Sequence, residues 1–276
     1  EVKAKLLEAQ ALKAEEQIQQ ARNIWSKGFI AEEIDNYCKN NSVMDTTEKR
    51  HKGLLTADDL ADWSATIEKP CSYNYKNYTV CKTGPWGQGP TFLQQLALLK
   101  NFDLDALDEN SPEFVHLVVE ATKLAFADRE AFYGDTNFNE VPMETLLSED
   151  YNKGRRNLIT DHASMKVRPG NIPGFGGNVV VRPKGQTSES FSKFDIGEPT
   201  VARFDEPLPN SLGETKGDTT HFDIIDKWGN MIAGTPSGGW LQSSPIIPNL
   251  GFCLSNRGQM FWLDKNSPAC IGPKRR

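Results

Sequence analysis

The stretch GDTTHFDIIDKWGNM, residues 217–231, decides how the rest of the chain is read. Asp218 is followed by two adjacent threonines, Thr219 and Thr220, and then by His221. HFDIID, the KWGN turn and MIAGT together predict a β-hairpin. A threonine pair at the head of a strand is ordinarily no more than β-propensity, and His221 alone reads as a satisfied surface or core histidine. Two small hydroxyls in tandem behind a loose linker also fit an enzyme that cuts its own chain.

A threonine hydroxyl is a weak nucleophile until a base takes its proton. If the threonine is the first residue of its chain, its own α-amino group is that base, and no cofactor or metal is required. Reaching that state needs a cut just before it. Thr219 Oγ1 attacks the Asp218 carbonyl, an ester replaces the peptide, and water hydrolyses the ester. The expected scission site is therefore Asp218–Thr219.

Upstream of this point lies a region without periodicity, residues 168–218. RPGNIPGFGGNVVVRPKGQ is rich in Gly and Pro, and the segments that follow are polar with more prolines. A stretch this long without pattern reads as a flexible linker that ends at the scission site. Residues 1–167 read mainly helical. In LLTADDLADW, Thr56 caps a helix, with Asp58 and Asp59 in its first turn. YKNYTVCKTG alternates like one strand and ends at PWGQGP. TFLQQLALLKNF has helical spacing. A longer helix follows, with Ser111 as N-cap and Pro112 at its first position. Its stripe of Val115, Val118, Leu124, Phe126 and Phe132 is expected in the core.

The 276 residues suffice for one large domain or two small ones. Hydrophobic residues at 38% and charged residues at 25% fit a globular chain, and a net charge of -6 disfavours nucleic acid or an anionic membrane as partner. No apolar run approaches the roughly 18 residues of a membrane helix. The five cysteines lack metal-type spacing; Cys71 and Cys81 are near enough for a local pair, but buried free thiols are the expectation. The sequons at Asn40 and Asn77 do not fix a compartment. The chain opens inside an amphipathic helical pattern and stops at GPKRR, which reads as part of a longer polypeptide.

Several motifs together carry a family resemblance. The run from Gly217 to Asp264 resembles the start of the small subunit of the γ-glutamyltranspeptidase family of N-terminal-nucleophile hydrolases. GLLTADDLADW, GPWGQGPTFLQQLALLKNFDL, EATKLAFADREAFYGD and VPMETLLSEDY resemble the large subunit in the same order. The resemblance implies an α+β protein of the four-layer αββα type, present here in part. Residues 1–167 would be a helix-rich piece of the large subunit, and 219–276 the start of the small subunit. The implied partners are those two subunits of one precursor and a γ-glutamyl or related acyl amide. The implied activity is hydrolysis or acyl transfer, including glutathione chemistry, from a zymogen.

Carried over by position, Thr219 is the nucleophile and new N-terminus, and Ser237 is the second hydroxyl that hydrogen-bonds it. The family asparagine that grips the amino-acid end of a γ-glutamyl group falls on Gly239. Where the family has two acidic residues after Gln-Met, Gln259-Met260 is followed by Phe261-Trp262. Gly239 and Gln259 are thus the substrate-binding positions of the pattern. The first has lost its side chain, and the acidic pair after the second has become apolar. The resemblance places the carboxylate-clamping arginine before residue 1 and the oxyanion-hole glycines after residue 276. Two alternatives stay open: an acylase or amidohydrolase without γ-glutamyl specificity, and a catalytically inactive truncated relative.

Overall fold

The computed structural model of the chain describes residues 14–44, 49–176, 221–235, 244–255 and 257–276. Helices and two-stranded antiparallel sheets alternate through them, an α+β content. The chain divides into two compact units. One gathers the described residues of 1–65 and 185–258, the other those of 66–184 and 259–276.

The second unit is built around two helices, α4 (Gly89–Leu99) and α5 (Pro112–Phe132). Ser111 Oγ accepts from the Phe114 N–H at 3.2 Å, and Pro112 opens the helix, as the sequence predicts. Leu98 and Leu99 of α4 pack with Ala121, Leu124 and Ala125 of α5 in one core cluster. Ala131, Phe132, Tyr133, Leu146 and Ile172 form another, with Leu146 supplied by the short α6 (Met143–Leu146). The expected core stripe needs correction at its start. Val115 is 50% exposed, while Leu124 and Phe132 are buried. The buried face of α5 instead includes two acids, Glu120 and Asp128, at 1% and 0% exposure.

Those acids are held by groups far away in sequence. Glu120 accepts from the Ser164 N–H at 3.0 Å and from Arg168 at 2.6 Å, and pairs with Lys123. Asp128 Oδ1 accepts from Arg155 Nη2 at 3.0 Å and the Gly170 N–H at 2.6 Å. Its Oδ2 accepts from Gln94 at 2.6 Å and the Tyr151 hydroxyl at 3.0 Å. Arg155 and Tyr151 come from α7 (Glu149–Arg156), capped by Ser148. Residues 164–170 are thereby strapped along α5. A side chain at Gly170 would push Tyr151 aside, because a Cβ would lie 1.9 Å from its hydroxyl oxygen.

The alternating run at 75–84 is not one strand. Strand β3 (Cys71–Tyr75) turns at Lys76 and Asn77 into β4 (Tyr78–Lys82). Lys76 takes a positive φ of 51° and its ammonium lies 2.6 Å from Asp105. Ser72 stands opposite Cys81 and Cys71 opposite Lys82. Paired positions share a face and neighbours alternate, so Cys71 and Cys81 point to opposite faces. The register forbids their disulfide, and all five cysteines are free thiols.

In the first unit, α1 (Ala14–Ser26) and α2 (Phe29–Asn40) lead to the strand pair β1 (Ser42–Met44) and β2 (Arg50–Lys52). Ile34 and Cys38 of α2 share a core cluster with Ile247, joined by Leu55, Leu60 and Leu250. Trp25 of α1 stacks on Phe252, with centroids 5.7 Å apart. Helix α3 (Ala57–Asp62) starts at a capping box: Thr56 Oγ1 accepts from the Asp59 N–H, and Asp59 accepts from the Thr56 N–H at 2.9 Å. This is the cap that LLTADDLADW predicts.

Candidate active-site hairpin

Strands β5 (Phe222–Ile225) and β6 (Met231–Gly234) form the hairpin foreseen after Thr219. Its turn is built by Asp226. The carboxylate accepts from the N–H groups of Trp228 and Asn230 at 2.9 and 3.0 Å and from the Asn230 side-chain amide at 2.8 Å. The Asn230 amide, with the backbone N–H groups, holds the Asp226 carboxyl below the usual aspartate range. Gly229 takes φ +84°, a region that a side chain makes costly. Turn geometry sets hairpin register, and here the pairs are Ile225↔Met231, Ile224↔Ile232, Asp223↔Ala233 and Phe222↔Gly234.

The register sorts the side chains into two faces. Phe222, Ile224 and Ile232 lie on one; Asp223, Ile225, Met231 and Ala233 lie on the other. Both carry large apolar groups that are exposed, among them Ile225 at 66% and Met231 at 77%. A strand apolar on both faces has the composition of one buried between layers.

His221 is one step beyond Phe222. Its Nδ1 lies 2.6 Å from Thr235 Oγ1, and its Nε2 lies 3.1 Å from Asp223 Oδ2. The sequence reading of a satisfied histidine matches these contacts, but it missed both partners. The signal was available. Asp223 is two residues from His221 on the same strand face, and the KWGN turn implies the register that brings Thr235 across.

Of the other positions singled out in the sequence, Asp218, Thr219, Ser237 and Gly239 lie outside the described residues, as does the side chain of Gln259. Gln259 falls in a short 3-10 turn, Arg257–Met260. Just after it, Trp262 is fastened in the second unit. Its backbone N–H donates to Ala269 at 3.0 Å, its carbonyl accepts from the Ile271 N–H at 2.8 Å, and its indole N–H donates to Glu130 at 3.3 Å. Trp262 therefore acts as an anchor on α5.

Comparison with known proteins places this hairpin in context. The γ-glutamyltranspeptidase family model matches residues 7–276. The glutathione hydrolase proenzyme of Bacillus subtilis (strain 168) is 30% identical over 207 residues, which is 74% of this chain and 31% of that protein. The acylase ACY 1 proenzyme of Pseudomonas sp. (strain V22) is 34% identical over 226 residues, 81% of this chain and 33% of that protein. The chain thus spans about a third of the length of these two relatives. The solved structure of LmbA2991HD superposes with a TM-score of 0.76 at 44% identity, over 99% of this chain and 43% of that one. The match extends over nearly every residue and takes in both the helical units and the hairpin, so the chain belongs to the γ-glutamyltranspeptidase family.

Proposed function

We propose that the complete protein hydrolyses or transfers acyl groups from amides through an ester on Thr219, after cutting its own precursor between Asp218 and Thr219. The observation that supports this most is the register of β5–β6. Phe222 pairs with Gly234, and each step outward moves one residue along each strand. Three steps reach Thr219 on one side and Ser237 on the other. A ladder continued that far sets the nucleophile opposite the hydroxyl proposed to orient it. By the two-residue period of a strand, both positions have the parity of His221, Thr235 and Asp223 in the sequence. The free amine of Thr219 serves as base, and Ser237 supplies one donor and two acceptor lone pairs.

The doubly apolar hairpin supports the four-layer αββα arrangement, in which such strands are covered on both sides. In this reading residues 1–167 belong to the large subunit, the linker that ends at 218 starts only beyond the packed Arg168, Gly170 and Ile172 rather than at 168, and 219–276 open the small subunit.

For the substrate, the reading is a γ-glutamyl or related acyl amide, with the acyl side weighted towards groups that lack an α-amine. Gly239 has no side chain to bind one, and Trp262 is fastened to Glu130 where the family pattern is acidic. One of the relatives is an acylase, which agrees with that weighting.

The covalent intermediate is directly testable. Full-length enzyme is mixed with an anilide substrate and quenched in acid within the first turnovers. The peptide that begins at Thr219 should gain the mass of the acyl group. Rapid turnover with no acylated Thr219 peptide contradicts the proposal.

A further inference from the structure

We propose that the loop 133–139 is the seat by which the upstream product of the cut holds the downstream one, through the segment 262–276. The inference rests on the cut proposed above between Asp218 and Thr219. Loop and segment belong to one compact unit, although residue 218 lies between them in sequence. All five cysteines are free thiols, so once that bond is cut nothing covalent in this chain joins the two.

The loop is preformed. Tyr133 is buried in a core cluster with Phe132 and Ile172, which fixes the loop where α5 ends. Asp135 then organises it. Its carbonyl accepts from the Phe138 and Asn139 N–H groups at 3.0 and 2.9 Å, and its Oδ1 accepts from the Asn137 N–H at 3.0 Å. Its Oδ2 accepts from the segment, from the Arg276 N–H at 3.0 Å. Asp135 is buried, so this bond is charge-assisted and shielded from water. Gly134 and Asn139 receive the main chain of Pro268. Asn139 Nδ2 donates to the Pro268 carbonyl at 2.8 Å. A Cβ at Gly134 would lie 2.4 Å from that carbonyl oxygen and 2.9 Å from its carbon. The atoms in the way are backbone, so a larger residue at 134 must move the segment itself.

The segment brings a matching shape. The Ser267 N–H donates to the Asp264 carbonyl and the Cys270 N–H to the Ser267 carbonyl, both at 3.0 Å. The second of these turns carries Pro268. The Trp262 indole on Glu130 and the Arg275 guanidinium, 5.1 Å from the centre of the Phe138 ring, tie down the two ends. Loop and segment are each held by their own bonds, so little ordering entropy opposes their contact. The partner that fits this loop is therefore one defined main-chain shape, the 262–276 segment of the same precursor. None of these groups belongs to the scission site, and the contact is made in the uncut chain.

The test has two arms on the full-length protein, with Gly134→Val and Asn139→Ala in the seat and Tyr78→Ala, exposed at the start of β4, as control. In the uncut Thr219→Ala background, hydrogen–deuterium exchange of peptides from 262–276 should be faster in both seat variants and unchanged in Tyr78→Ala. The cut enzyme is immobilised through its upstream chain and washed in sub-denaturing urea. Release of the downstream chain should be roughly 3- to 10-fold faster in Asn139→Ala, one hydrogen bond's worth, and about 10-fold or more in Gly134→Val. The proposal is overturned if both seat variants exchange or release at the wild-type rate, or if Tyr78→Ala accelerates either process as much as they do. If Gly134→Val does not fold, Asn139→Ala decides. A wild-type precursor that is never cut at Thr219 overturns the underlying assignment instead, and the exchange arm still decides whether the loop holds the segment.

Discussion

Arg155 Nη2 lies 3.0 Å from Asp128 Oδ1, with the two side chains 7% and 0% exposed. The same guanidinium nitrogen reaches the backbone carbonyls of Leu124 and Arg168, so one group joins α5, α7 and the 164–170 strap. A buried pair adds little over an apolar pair of equal shape, but removing one partner leaves a charge without compensation. Arg155→Leu should cost about 3–5 kcal/mol. The double variant Arg155→Leu/Asp128→Leu should recover part of that loss. Chemical denaturation of the two variants checks the order.

Glu120 predicts the response of the same unit to acid. Burial alone would raise its carboxyl, but the bonds from Lys123, the Ser164 N–H and Arg168 outweigh burial and hold it below the usual glutamate range. A carboxyl lowered in the folded state stabilises above its unfolded pKa, and that contribution is lost as pH falls through the folded value. The melting temperature should therefore drop on acidification below the ordinary glutamate range. Glu120→Gln should melt lower than wild type at neutral pH, and the gap should narrow at low pH. A gap that widens on acidification contradicts the assignment.

The legible and illegible parts of this chain differ in range. Thr56 and Ser111 were readable as caps because a cap bonds to N–H groups two or three residues away. The β5–β6 hairpin was readable because Asp226, Gly229 and Asn230 carry the turn chemistry themselves. The turn at Lys76–Asn77 was not, since it has no glycine and is supported by an ion pair to Asp105, 29 residues on. Val115 fits the apolar period, yet it stays half exposed among the described residues. The burial of Asp128 and Glu120 was not legible either, because the arginines that hold them, Arg155 and Arg168, lie 27 and 48 residues on. The family pattern pointed to Thr219 and Ser237, while Asp223 and Thr235 emerged only once the register was known.

The turn should matter to the chemistry because it sets that register. Gly229→Val places a β-branched side chain at φ +84° and should cost about 1–2 kcal/mol locally. Asp226→Ala removes the carboxylate that gathers Trp228 and Asn230. Both variants of the full precursor should be cut more slowly than wild type, whereas Trp228→Ala, exposed in the same turn, should be cut normally. Densitometry of precursor against products over time measures all three.

Ser237→Ala should lower kcat while leaving the thermal transition in place. The loss should correspond to about 0.5–1.5 kcal/mol, the range of one hydrogen bond, and more if the site is desolvated. Unchanged kcat would return Ser237 to a turn residue.

Substrate preference tests the reading of Gly239 and Trp262. A γ-glutamyl anilide and a glutaryl anilide differ by the α-amine alone. An ammonium desolvated without a partner costs about a few kcal/mol. The complete enzyme should have the higher kcat/KM on the glutaryl compound and favour water over an acceptor amine. A strong preference for the γ-glutamyl anilide would mean that other residues bind the ammonium.

The central claim is the cut before Thr219, and intact-mass analysis of purified full-length protein tests it most directly. Wild type should resolve into two chains, the smaller beginning with Thr219. Thr219→Ala should remain a single chain, because the attacking oxygen is gone, and Thr219→Ser should cut more slowly. A wild-type precursor still intact after long incubation, or a Thr219→Ala protein cut at the same bond, contradicts the account.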